Sequence, residues 1–120
     1  MSTFLWSNGL NFNGNEGWSD LFTINTLNLP IIILYPNNMT YWQQFEEDTY
    51  CEWNYATGAT VYIEIYKGNV LKGLYHDETA NDGFCRHNGA LDEWGSGTDF
   101  RLRLIDANNN EGWSDYFTIE

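Results

Sequence analysis

Residues 110–119 read Asn-Glu-Gly-Trp-Ser-Asp-Tyr-Phe-Thr-Ile, and residues 15–24 read Asn-Glu-Gly-Trp-Ser-Asp-Leu-Phe-Thr-Ile. Nine of the ten positions agree, at an offset of 95 residues. The likeness reaches upstream, where Asn11, Asn13 and Asn15 align with Asp106, Asn108 and Asn110. Each copy leaves an Asn/Gly-rich loop and begins to alternate. Trp113, Asp115, Phe117 and Ile119 are expected on one face, with Ser114, Tyr116 and Thr118 on the other. A side-chain period of two, entered through a turn, reads as a strand with one buried face. The offset is the size of one β-sandwich domain and too long for a solenoid repeat.

The same period recurs outward from this stretch. Ile31–Tyr35 reads as a strand ended by Pro36-Asn37-Asn38. Asp48–Asn54 puts Cys51 and Trp53 on one face, Tyr50 and Glu52 on the other. Ala59–Lys67 turns Val61, Ile63 and Ile65 inward and Tyr62, Glu64 and Tyr66 outward. Val70–Tyr75 follows the turn at Lys67-Gly68-Asn69, and Phe84–His87 follows Asn81-Asp82-Gly83. Asp99–Asp106 turns Phe100, Leu102 and Leu104 inward, Arg101 and Arg103 outward. No window of a dozen residues carries helical spacing. About seven short strands at this spacing predict an all-β sandwich over residues 31–120.

Residues 1–30 are then an N-terminal extension carrying a duplicate of the closing strand. Its sheet-forming face is Trp18, Asp20, Phe22 and Ile24. Met1 to Gly14 is too short to supply the rest of a sandwich for it. The duplicate is expected to complete a neighbouring molecule, or to be the tail of a preceding module. The plainer alternative folds residues 1–24 back on their own domain as extra edge strands.

The 120 residues hold 5 Lys and Arg against 17 Asp and Glu, a formal charge of −12. Phosphate recognition needs clustered cations, so nucleic acid and anionic membrane surfaces are poor partners. The longest apolar run, Ile31–Tyr35, has strand length, and no membrane insertion is expected. Met1–Phe4 lacks the charged and apolar regions of a signal peptide, so the chain is expected to be mature or not exported by that route. An aromatic share of 18% argues for a packed core and against disorder.

Cys51 and Cys85 are expected to point inward and to join in a disulfide. The bridge would close a loop of 34 residues, worth roughly 3–4 kcal/mol. Two free buried thiols are the alternative.

The order of motifs resembles a known family. Pro36-Asn37-Asn38, Trp42, Thr49–Asn54, Val61–Gly68, Asn81-Asp82-Gly83, Gly97–Leu104 and Ser114–Ile119 follow the pattern of the Ser-Thr-rich, GPI-anchored membrane family. Its domain is Ig/fibronectin-III-like and related to yeast cell-wall glucan-assembly proteins. The likeness covers residues 31–120, with residues 11–24 like the tail of a preceding module. Cys85 and His87 stand where that family usually has aromatics, and no Ser/Thr-rich stalk or GPI signal follows Glu120, so membrane anchoring does not carry over. The resemblance implies a secreted, non-catalytic module of the cell surface or wall, and brings no catalytic residue.

The residues themselves also give no catalytic signature. His76 and His87 are the only histidines, and no nucleophile-elbow, zincin or Cys-x-x-Cys motif occurs. No cofactor is expected. Calcium enters as an alternative at Asp106, Asn108, Asn110 and Glu111, where oxygen-bearing side chains precede Gly112 at alternate positions. The plain reading of that run is a turn. Asn38-Met39-Thr40 is a glycosylation sequon, with Asn38 the acceptor.

Two functions remain. One is an extracellular structural or adhesive module that associates head to tail with copies of itself, as a filament, surface layer or tandem array. The other is a carbohydrate-binding module that stacks glycans on exposed rings. Trp94, in a polar stretch, is the first candidate, with Trp42, Tyr62 and Tyr66. The same rings suit a protein interface.

Overall fold

The computed structural model describes residues 29–120. The duplicate of the closing motif, with Trp18, Asp20, Phe22 and Ile24, lies outside them. Among the described residues nine strands run in order: β1 Ile32–Tyr35, β2 Tyr41–Trp42, β3 Asp48–Asn54, β4 Thr60–Lys67, β5 Val70–Ala80, β6 Phe84–Asn88, β7 Gly97–Asp106, β8 Glu111–Trp113 and β9 Phe117–Ile119. Among the described residues the only helical element is a single 3-10 turn at Asp92–Trp94.

The strands form two sheets. The smaller has the order β1-β3-β6; the larger has β2-β9-β7-β4-β5, with β8 also on β7. The first ribbon serves both. Pro36 has no N–H to continue β1. The Asn37 amide then bonds to Thr40 Oγ1 at 2.9 Å, and the Thr40 amide to the Asn37 carbonyl at 2.9 Å. That turn carries the chain to the larger sheet, where β2 pairs parallel with β9. Counting β1–β2 and β8–β9 as interrupted ribbons leaves seven, an Ig/fibronectin-III-like β-sandwich.

The alternating faces close the core as the pattern dictates. Cys51 and Trp53 from β3 meet Val61, Ile63 and Ile65 from β4 and Phe100, Leu102 and Leu104 from β7, all buried. Each such side chain contributes about 1.5–3 kcal/mol of burial.

Three expectations fail here. The closing strand is broken rather than continuous. Trp113 pairs with Arg103 and Phe117 with Phe100, so four steps along β8–β9 span three along β7. The extra residue acts as a bulge and moves Trp113 to the face opposite Phe117. β5 is longer than expected, reaching Ala80, because an edge strand keeps its ladder with polar side chains.

The third failure concerns Trp42 and Trp94, which are core residues, 2% and 4% exposed. The pairing of β2 with β9 draws the Trp42 ring to 4.8 Å from Phe117 and 5.8 Å from Tyr75. Trp94 ends the 3-10 turn, which the Leu91 amide anchors to the Gln44 carbonyl at 2.6 Å. Asp92 and Glu93 face solvent while Trp94 packs 5.1 Å from His87. The polarity of the stretch thus belongs to one side of the turn only.

Candidate functional site

The second copy of the duplicated motif shows what this sequence does once folded. It lies along the edge of β7 opposite β4 and makes contacts on three levels. On the inner level Phe117 and Ile119 are 2% and 0% exposed. Gly112 presses on the start of β1. A Cβ there would stand 2.7 Å from Ile31 Cβ and 2.8 Å from its carbonyl oxygen. No larger residue fits without moving β1.

In the plane of the sheet, Ser114 bridges the break. Its amide donates to the Leu102 carbonyl at 2.9 Å, and its Oγ accepts the Leu102 amide at 2.9 Å. The end of the ribbon is fastened to β2: the Thr118 amide donates to the Thr40 carbonyl at 3.2 Å and the Glu120 amide to the Trp42 carbonyl at 2.9 Å.

On the outer level, Trp113 lies under the Arg101 guanidinium, 4.1 Å from its centre, and meets Tyr66 edge-on at 4.9 Å. Such stacking is worth about 0.5–1 kcal/mol at an exposed site and more where water is excluded. Beside it Arg103 donates to Glu111 at 2.6 Å and to Glu64 at 3.0 Å, joining β8, β7 and β4. These bonds hold the Arg103 guanidinium charged beyond its usual range.

The ten-residue motif departs from its duplicate at one position, Tyr116 against Leu21. Tyr116 is 47% exposed, with its ring 5.0 Å from the Arg101 guanidinium. Every other residue of the seat is repeated in residues 15–24: Glu16 for Glu111, Gly17 for Gly112, Trp18 for Trp113, Ser19 for Ser114, Phe22 for Phe117 and Ile24 for Ile119.

The loop leading in is organised by Asp106, which is buried. Its Oδ1 accepts the Asn108 and Asn110 amides, both at 2.9 Å. Its Oδ2 accepts the Thr57 amide and hydroxyl, both at 2.8 Å, and Asn110 Nδ2 at 3.1 Å. Burial pushes the carboxyl up, but the bonds from Thr57 and Asn110 outweigh it and bring it down to about 2.

The residues considered as calcium ligands are engaged with one another and with their neighbours. Both Asp106 oxygens face donors, Asn108 Nδ2 donates to Thr57 Oγ1 at 2.8 Å, and Glu111 is held by Arg103. Among the described residues no three His, Cys, Asp or Glu side chains gather as a metal site. Asn38 is exposed in the turn between β1 and β2.

Cys51 and Cys85 stand directly opposite each other on β3 and β6, both buried. The inward facing expected of them is found, but the bridge is not formed in this structure: both are free thiols.

With Trp42 and Trp94 in the core, two of the four rings proposed for glycans have no face to offer. Tyr66 is half-buried against Trp113. Tyr62 is 38% exposed and borders an open hollow of about 450 Å³ with Asp77 and Glu78.

Sequence reading missed an aromatic row on the outside of the smaller sheet. Tyr50 stacks on Tyr35 at 4.4 Å and on Phe84 at 5.5 Å, and Arg86 covers Phe84 at 5.5 Å. These rings spend their faces on one another. It also missed Ser114 and Arg101, although the repetition of Ser19 and the outward alternation of Arg101 marked both. Compared with known proteins, the chain matches no family model, no curated protein and no solved structure.

Proposed function

We propose that this protein is a non-catalytic structural or adhesive module of the cell surface that associates head to tail, through residues 15–24, with the next copy or module. One observation carries the reading. The second copy of the motif is a closing strand whose glycine, serine, phenylalanine and isoleucine are all consumed by the seat it occupies. A near-identical copy has the same demands. The edges of β7 are already taken by β4 on one side and β8–β9 on the other. The sheet of a neighbour meets those demands where the strand joins it or takes the place of its closing strand. The contact is heterologous, so it propagates into an open filament or a tandem array. The resemblance to cell-wall modules supports the extracellular placing, and a charge of −12 limits association by any route except a specific one.

The glycan reading keeps only Tyr62 and the hollow beside it, and no second observation favours it. The test is the mass of the full chain and of a variant lacking residues 1–24, by light scattering over a range of concentration. Association of the full chain that vanishes in the variant supports the proposal. A full chain that stays monomeric throughout removes it.

A further inference from the structure

We infer that residues 15–24 of a second copy of this chain seat in the groove along β7 that residues 110–119 fill, displacing them. The inference rests on the head-to-tail reading and names its docking site. The occupant follows from matching the seat against the sequence. A Gly17 meets Ile31 where any Cβ clashes, as Gly112 does. A Ser19 supplies the amide and hydroxyl that Leu102 needs. Phe22 and Ile24 supply the two core side chains, Trp18 the ring beneath Arg101, and Glu16 the carboxylate for Arg103. The single change, Leu21 for Tyr116, falls on a residue that is 47% exposed. Exchange of one strand for the other therefore replaces each buried contact with its like, which is the condition for low-cost swapping between protomers.

Chain length favours the first copy of a neighbour over a chain's own. In its own seat, Ile24 would lie where Ile119 lies while Ile31 stays against the glycine. Gly112 and Ile119 are seven residues apart, but the irregularities against β7 shorten their span to about six strand steps, roughly 20 Å. Ile24 and Ile31 are also seven residues apart, and seven residues reach at most about 25 Å. The return path would have to run nearly extended, and it includes Pro30. A second copy carries no such tether.

The experiment uses the full chain with each strand disabled in turn. Gly112→Val with Phe117→Asp spoils the second copy; Gly17→Val with Phe22→Asp spoils the first. With only the second copy spoiled, the chain is expected to stay folded as an oligomer whose unfolding temperature rises with concentration. With both spoiled, it is expected to lose cooperative unfolding altogether. If spoiling the second copy alone unfolds the chain as fully as spoiling both, or leaves a folded monomer, the exchange is overturned. A folded oligomer with both copies spoiled overturns it as well. Should the unaltered chain still associate through residues 1–24 after such a result, the head-to-tail reading stands and only its seat is wrong.

Discussion

Ser114 and Leu102 exchange two hydrogen bonds, one through the backbone of each and one through the serine hydroxyl, both at 2.9 Å. The hydroxyl stands in for the carbonyl that the bulge turns away from β7. Ser114→Ala leaves the buried Leu102 amide without an acceptor, at a cost of about 1–3 kcal/mol. Ser114→Thr keeps the oxygen and most of the stability. Urea unfolding midpoints of the two variants check this, and equal midpoints for alanine and wild type would sink it.

Asp106 makes the fold sensitive to acid. Its folded value of about 2 lies below the unfolded 3.8. A depressed carboxyl contributes stability that is fully present above the unfolded value and is lost as pH falls through the folded one. The window runs from 3.8 down to about 2. The contribution is on the order of 2 kcal/mol. Asp106→Ala is expected to unfold at lower urea at pH 7 and to lose less than wild type on acidification through that window. A parallel pH dependence in both proteins would assign the acid limb elsewhere.

The two thiols give a chemical readout. Burial raises Cys51 well above the ordinary thiol and pushes Cys85 up to about 12. The thiolate is the reactive form. Neither cysteine is expected to react with an aromatic disulfide reagent at pH 8 while the chain is folded. Both are expected to react once it is unfolded in urea without reductant. A count of zero in urea would mean that the expected Cys51–Cys85 bridge had formed.

What was legible in the sequence was what a single strand decides for itself. Ile63 must point inward because a slip of one residue would expose Val61, Ile63 and Ile65 together. The inward facing of Cys51 and Cys85 follows likewise, but no pattern of side chains records whether two thiols are joined. The break at Ser114 was illegible because the extra residue is defined only against β7. Trp94 was misread because its burial depends on the Gln44 carbonyl, far from it in sequence. The spacing of Asp106, Asn108 and Asn110 was visible, yet its meaning lay with Thr57, 49 residues away. Thr57 supplies N–H and O–H donors to the carboxylate, which offset the cost of burying its charge.

Asn81 joins the two ends of the β3–β4 connection, and its amide polarity is fixed by its neighbours. Trp53 Nε1 donates to Asn81 Oδ1 at 2.8 Å, while Asn81 Nδ2 donates to the Ala56 carbonyl at 2.9 Å and the Gly58 carbonyl at 3.0 Å. Asn81→Asp keeps the acceptor for Trp53 and sets a carboxylate oxygen against two carbonyls. The loss at pH 7 is expected to be about 1–3 kcal/mol. Repulsion by those carbonyls raises the new carboxyl in the folded state, so protonation favours folding and restores one donor. The deficit should therefore shrink at pH 4.5, where Asp106 remains charged because its folded value is about 2. Urea midpoints of Asn81→Asp and wild type at pH 7 and pH 4.5 give the comparison. A deficit unchanged between the two would show that the Ala56 and Gly58 carbonyls do not depend on Asn81 for their donors.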